Sequence, residues 1–544
     1  MCGIIAIVRR RAQRQIPDPS RVRDLINSTL ETIPEDLQEI QSLIDSLTTL
    51  EKETSGVPGT IAFLESPELL VLLNDKCQSI ESALIDLEIS LNETDSPLEE
   101  IEAVNASIVQ IKDLIWSLRN DRTRLVNSVR ELCQEKWNDG VVETYTSIHE
   151  ALSALDRLEV RGRDSAGLHL MIRDHALDLD DPITASEIRE RSIDNDYKSG
   201  SVRLVGDQIS FVYKTAAEIG QLGDNTLALR EAIMSDKLLH RALLNDQASA
   251  LVVGHTRWAS IGIISEPNAH PLNSEQEGRS ELPYVVAAIN GDVDNFADLK
   301  DLETLSITPA VTSDSKVMPT LMAQHLSKAE DELSSITEAF RKTVETLEGS
   351  VAVVANAASD PENLHLALRG SGQGLYIGLA EDAYIIASEP YGLVECTQKY
   401  LRLDGESITK RNENVSGPGE IVTLSRAQAG TIGGIIRSSY DGVALPVNEE
   451  EIDHAGITSR DIDRRGFPHF LLKEITEAPE SFQKTLRGKI VDVDGNLHVQ
   501  LDESAFPADL KNQFRDGGFK EVYVIGQGTA AVAGSSLASL LSEE

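Results

Sequence analysis

Basic residues are scarce in this chain. Its 544 residues include 50 lysines and arginines against 89 aspartates and glutamates, a formal charge of −39. A surface of that sign repels a phosphate backbone, so nucleic-acid binding is excluded as a function class, whereas a well-solvated protein fits it. Cysteine is scarce too. Cys2, Cys77, Cys133 and Cys396 are scattered, with no CxxC pair, which leaves neither a zinc-ligand set nor a disulfide framework. No metal and no cofactor is expected, and free thiols suit a reducing cytoplasm. Long apolar runs are missing: none approaches the ~20 residues of a membrane span. The first apolar stretch is met too soon by Arg9-Arg10-Arg11 to act as a secretory signal.

What is present is enough apolar residue, 41%, for several cores, and a length that suggests roughly three or four domain-sized units. Composition shifts divide the chain into residues 1–10 with 140–435, an insertion over 11–139, a linker and amphipathic helix over 436–490, and a final segment over 491–544. The insertion is rich in Leu, Ile, Glu, Ser and Asp. Ile101, Val104, Ile108, Ile111, Ile115, Leu118, Leu125, Val129 and Leu132 follow three- and four-residue steps, broken only at Arg122. That spacing predicts an antiparallel helical hairpin or coiled coil, serving packing or a dimerising or partner-binding surface. Leu37, Ile40, Ile44 and Leu47 start a similar stripe, and Ile80, Leu84, Leu87 and Leu91 another.

From Tyr145 the pattern changes. A helix is predicted over 145–158, strands over 167–172, 203–213, 250–255 and 284–289, helices near 315–327 and 335–347, and strands over 350–356, 363–368, 375–378, 383–387 and 419–424. Alternating strand pairs and helix pairs imply sheets covered by helices. Residues 173–200 read as a charged surface excursion, 436–465 as a linker, 469–487 as an amphipathic helix, and 520–544 as a strand followed by a helix.

Chemistry centres on Cys2, at the head of Gly3-Ile4-Ile5-Ala6-Ile7-Val8. With Met1 removed, one residue carries a thiol nucleophile and an α-amine whose reference pKa of roughly 7.7–8 suits a general base. Three polar clusters follow strands. Arg257, in His255-Thr256-Arg257-Trp258-Ala259, offers a fork for a carboxylate, and Trp258 stands where a lid would be. Asn290-Gly291 offers a side-chain amide and a backbone N–H for an oxyanion. Asp314, in Thr312-Ser313-Asp314-Ser315, offers a carboxylate for an α-ammonium. Taken singly, each has an ordinary alternative: a surface ion pair, a turn, a helix N-cap. Together they supply what binding an α-amino acid and cleaving its side-chain amide requires.

These motifs, with Leu158-Glu159-Val160-Arg161-Gly162-Arg163-Asp164-Ser165-Ala166-Gly167 and Asn268-Ala269-His270-Pro271, resemble the class II, N-terminal-nucleophile (Ntn) glutamine amidotransferases. Lys473-Glu474-Ile475-Thr476-Glu477-Ala478-Pro479 and Val522-Tyr523-Val524-Ile525-Gly526-Gln527-Gly528-Thr529 are similar to the approach to, and first loop of, the sugar isomerase (SIS) domain in the branch that aminates fructose 6-phosphate to glucosamine 6-phosphate. The resemblance implies an α+β fold: an Ntn-type four-layer αββα sandwich with the helical insertion, followed by the start of a SIS-type α/β domain. It implies Cys2 as nucleophile, Asn290 and Gly291 as oxyanion donors, and Arg257, Trp258, Ser260 and Asp314 as glutamine-binding residues. Thr529 is implied as a sugar-phosphate contact. A cytoplasmic homo-oligomer is expected.

Several positions depart from the family. About 130 residues separate the first strand from the helix before Leu158. Ile261 stands where the family usually has histidine, Gln527 where cysteine is common, and Ala530 where serine is common. The chain is expected to be a fragment, or one half of a split protein, because it ends one βα unit into the SIS domain. Two other readings stay open: a glutamine-sensing scaffold working through its coiled coil, and a stand-alone glutaminase.

Overall fold

The computed structural model describes residues 2–29, 37–91, 98–134, 136–216, 221–279, 281–332, 335–406, 418–487, 489–493, 495–499 and 506–543. The chain divides into two units. One comprises Met1–Pro34, Gln38–Glu81 and Ile111–Asp463, and the other Glu35–Leu37, Ser82–Gln110 and Arg464–Glu544.

The first unit is built on two antiparallel sheets. Its strands in chain order are β1 (Gly3–Arg9), β2 (Ser165–Arg173), β3 (Val202–Val205), β4 (Gln208–Thr215), β5 (Ser249–Arg257), β6 (Leu272–Asn273), β7 (Val285–Gly291), β8 (Val351–Ala357), β9 (Asn363–Arg369), β10 (Tyr376–Leu379), β11 (Ala383–Ala387), β12 (Lys399–Arg402), β13 (Glu420–Ser425), β14 (Ile435–Ser439) and β15 (Ile452–His454). One sheet runs β15-β12-β10-β11-β1-β5-β2-β4-β3 and the other β14-β13-β9-β8-β7-β6.

The period-2 alternation of side chains sorts the residues into layers. Ile5, Ile7, Leu168, Leu170 and Val252 face Tyr145, Ile148, Leu152 and Leu155 of helix Asp139–Leu158. Ile4, Ala6, Val8, Leu251 and Val253 face Val286, Ala288, Ala352 and Val354 across the gap between sheets. Val285, Ile289, Val351 and Val353 face Met318, Leu321 and Phe340 of helices Val317–Glu332 and Ile336–Thr346. Helix, sheet, sheet, helix is the resulting order. β1 and β5 read as continuous apolar runs because both of their faces are buried.

Within this unit the insertion packs on the outer helix layer: Val57, Ile61, Leu125, Val129 and Leu132 share a core with Tyr145 and Ile148. Of the seam residues, Ile111, Ile115 and Leu118 are buried in this unit; Ile101, Val104 and Ile108 belong to the second unit and are buried too. Its irregularity at Arg122 has a structural counterpart. The helix takes one π turn, Ser117–Asp121, closed by Arg122 N–H on Ser117 O, before continuing as Arg122–Cys133. Both polar residues there are buried yet paired, Arg122 with Glu51 at 3.3 Å, and Asp121 with Arg124 and Ser459. Across from it on β1, Arg9 binds Ser147 at 3.0 Å, Glu150 at 2.5 Å and Asp382.

Several expected elements differ. Residues 436–465 are not a linker: β14 pairs with β13 and β15 with β12, extending both sheets. Within 173–200 lies a helix, Pro182–Ser192, started by Asp181 capping Thr184 N–H. The single strand expected over 203–213 is the hairpin β3–β4.

In the second unit, helix Phe470–Leu486 contains Pro479, a hairpin pairs Ile490–Val493 with Asn496–Val499, and helix Thr529–Glu543 closes the described chain. The strand expected at Val522–Ile525 does not form. Among the described residues it has no ladder partner, and Tyr523 and Ile525 are 80% and 94% exposed. An apolar run makes a strand only when another edge satisfies its backbone.

Candidate active site

Antiparallel pairing of β1 with β5 sets Gly3 opposite Thr256, so the start of one strand lies beside the end of the other. The end of β7, from the second sheet, completes the place. Cys2, just ahead of β1, is half-buried. Its Sγ accepts the Trp258 N–H at 3.3 Å. Burial pushes the thiol up from its ordinary value, and the Trp258 N–H partly opposes that shift.

Asn290 is buried and donates from Nδ2 to the Cys2 carbonyl at 3.0 Å. Gly291 follows with φ +93°, and a Cβ there would stand 2.0 Å from Ser350 O. Only glycine holds that backbone without displacing Ser350, just ahead of β8. Asp314 is buried and accepts the Val293 N–H at 2.7 Å. Burial raises its carboxyl, and the Val293 and Ser315 N–H groups offset part of the rise.

Arg257, the last residue of β5, is buried and donates to the carbonyls of Ile263 (3.1 Å) and Ile261. Burial lowers its guanidinium from the usual value. The loop after it is exposed and lightly tethered. Trp258 is 57% exposed. Ala259 N–H donates to Asp164 at 2.8 Å, Ser260 Oγ to Asp292 at 2.6 Å, and Ile263 N–H to Thr312 at 3.2 Å. Ile261 enters this loop through its backbone, as an acceptor for Arg257.

Cys2, Arg257, Trp258, Ser260, Asn290, Gly291 and Asp314 are thus gathered through three strand ends and two loops. Thr529 is not among them. It belongs to the second unit, where it opens the last helix.

Sequence reasoning gave no role to several residues around this place. Asp164 holds the loop at Ala259, and Gly162 is packed so that a Cβ would meet Trp258 N at 2.5 Å. Asn268 Oδ1 accepts both Thr312 N–H and Ser313 N–H at 2.8 Å, setting the turn before Asp314. His255 and His270 lie fully buried with their rings stacked at 4.4 Å. The available signal was a histidine inside an apolar run, Leu251-Val252-Val253-Gly254-His255. Buried polar groups persist where they have partners.

Among the described residues no cluster of three or more His, Cys, Asp or Glu side chains is placed to hold a metal ion. None of the helices there is singly long and apolar enough to cross a membrane. The arrangement has a thiol, amide and backbone donors beside it, and an arginine and an aspartate of opposite charge flanking it. Those are the groups an acyl transfer from a zwitterionic amino acid uses.

No family model matches the chain. It is similar to glutamine–fructose-6-phosphate aminotransferase [isomerizing] of Leifsonia xyli subsp. xyli, 28% identical over 397 residues, covering 73% of this chain and 50% of the relative. The protein of the same name from Sulfolobus acidocaldarius is 27% identical over 332 residues, covering 60% and 48%. The chain therefore spans about half the length of these curated relatives. Among solved structures, glutamine phosphoribosylpyrophosphate amidotransferase from B. subtilis aligns with TM-score 0.32 at 16% identity, over 54% of this chain and 47% of that one.

Proposed function

We propose that this chain is the glutamine-hydrolysing part of an Ntn-type glutamine amidotransferase, with ammonia passing to a sugar phosphate, fructose 6-phosphate. The observation that carries the reading is the convergence of Cys2 with Asn290-Gly291, Arg257 and Asp314 at the ends of β1, β5 and β7. The acceptor rests on the names of the relatives.

In this reading Arg257 takes the α-carboxylate of glutamine and Asp314 its α-ammonium, which sets the side-chain amide against Cys2. The α-amine of Cys2, freed by removal of Met1, accepts the thiol proton as sulfur attacks the amide carbon. Asn290 Nδ2 and the Gly291 N–H receive the developing oxyanion. As the intermediate collapses, the Cys2 ammonium returns its proton to the leaving nitrogen, so ammonia departs and a γ-glutamyl thioester remains. The amine, free again, takes a proton from water as its oxygen attacks the thioester, and glutamate is released as the thiol regains that proton. For glutamine to bind, Arg257 exchanges the neutral carbonyls of Ile261 and Ile263 for a carboxylate, a charge-assisted bond roughly twice as strong. Ser260 and Trp258 ride on the loop that shifts with that exchange. The helical insertion serves as a packing or dimerising element, Thr529 as a sugar-phosphate contact in the second unit, and the protein acts as a homo-oligomer.

Purified chain should convert glutamine to glutamate, and Cys2→Ala or retention of Met1 should abolish it. Undiminished turnover in either form contradicts the mechanism. The engagement of Arg257 by its own loop favours one second reading, a glutamine sensor. Labelling of Cys2 by diazo-oxo-norleucine without turnover would support that instead.

A further inference from the structure

The oxyanion amide has to present N–H and not C=O, and nothing in an asparagine side chain by itself enforces this. The surroundings of Asn290 do. Its Nδ2 donates to Cys2 O at 3.0 Å, and on the opposite side Oδ1 lies 3.1 Å from His255 Nε2. That same Nε2 is 3.0 Å from the Ile289 carbonyl. Both neighbours of Nε2 are acceptors, so the imidazole proton sits on Nε2 and is shared between them. Turning the amide by half a rotation would set Oδ1 against the Cys2 carbonyl and Nδ2 against an imidazole N–H, two repulsive contacts in place of two bonds. The ring is itself fixed. It is fully buried, which depresses its basicity to about 3 and keeps it neutral, and it stacks on His270 at 29°. His270 in turn accepts the Ile289 N–H on Nδ1 at 3.4 Å and reaches Ser313 Oγ at 3.5 Å, next to Asp314.

We infer that His255 is a positioning residue for the oxyanion site: its Nε2–H holds Asn290 Oδ1, so that Nδ2 faces the carbon that Cys2 attacks. This rests on the glutaminase reading. His255 touches neither substrate nor sulfur and acts only through Asn290. One of the two Nδ2 protons is used on Cys2 O, which leaves the second for the oxyanion. A preorganised donor of this kind contributes about 10²–10³ in kcat, and a donor left free to turn forfeits part of that.

The test uses the purified full chain with His255→Leu, which fills the space without donating, and His255→Gln, which restores an N–H. Steady-state hydrolysis of glutamine is read beside the rate at which iodoacetamide alkylates Cys2, a displacement at carbon that forms no oxyanion. His255→Leu is expected to lower kcat about 10–100-fold and to leave KM and the alkylation rate within about threefold. His255→Gln should recover much of the lost kcat. A kcat within twofold of wild type in His255→Leu overturns the proposal. So does alkylation falling in step with kcat, or His255→Gln behaving like His255→Leu. Nitrogen-15 spectra of the unsubstituted protein decide independently of any variant and of any turnover: the proton must be on Nε2 of His255, and a proton on Nδ1 overturns the positioning role. A wild type that shows the Nε2 proton but hydrolyses no glutamine would overturn the functional reading and leave the geometry standing.

Discussion

The two halves of the candidate site are built differently. Cys2, Asn290 and Gly291 stand at the ends of β1 and β7, strands buried along nearly their whole length and bonded to neighbours on both sides. Trp258, Ser260 and Ile261 stand on a loop held by a few hydrogen bonds, with Trp258 57% exposed. Groups that must not reorient while charge develops are fixed in ladders. In the proposed reading, the groups that admit glutamine and release glutamate hang on bonds of about 1 kcal/mol each. Substitutions in the strand half should therefore act on kcat, and those in the loop half on KM.

The sharpest break of that comparison is Cys2→Ala, for which glutamine hydrolysis should fall about 10⁴-fold or more, since it removes the thiol that forms the thioester. Asn290→Ala should cost about 10²–10³ in kcat with a nearly unchanged KM for glutamine. Gly291→Ala should be as damaging for a different reason: its Cβ cannot coexist with Ser350 O, so thermal stability should drop along with kcat. Asp314→Asn should raise KM about tenfold or more with a smaller change in kcat, because an amide no longer balances the α-ammonium. Ser260→Ala, which frees the loop from Asp292, should change KM by only a few-fold. A kcat loss in Ser260→Ala larger than that in Asn290→Ala would reverse the contrast between the halves.

Acidity should separate them as well. Asp314 must be ionised to hold an ammonium, and burial raises its carboxyl. KM for glutamine should therefore rise as pH falls, beginning at a higher pH than for an ordinary aspartate. Burial of the Cys2 thiol also favours its protonated form, so kcat should climb toward alkaline pH as base becomes available. Asp314→Asn should remove the first dependence and keep the second.

What could be read from the sequence follows from how much of each element is buried. β1, β5, β7 and β8 announce themselves because each is an apolar run or alternation of seven or nine residues. β12, β14 and β15 have only three to five residues, β14 and β15 at sheet edges, with exposed positions such as Ile436, and carry too little pattern to be seen. Helix Pro182–Ser192 was hidden by its charge. Val522–Ile525 failed in the opposite direction, having the apolar pattern and no ladder partner among the described residues. Among site residues, those with a chemical identity suited to a step were legible, including Cys2, Arg257 and Asp314. His255, Asp164 and Asn268 act by holding other groups, and their roles exist only in three-dimensional neighbours that no spacing encodes.

The nucleophile itself is tested most directly by acid-quenching the protein during glutamine turnover and mapping its peptides by mass spectrometry. A γ-glutamyl adduct is expected on the N-terminal peptide, at Cys2 with Met1 removed. It should accumulate less in Asn290→Ala and be absent in Cys2→Ala. Turnover without an adduct on Cys2, or an adduct carried by another residue, would contradict it.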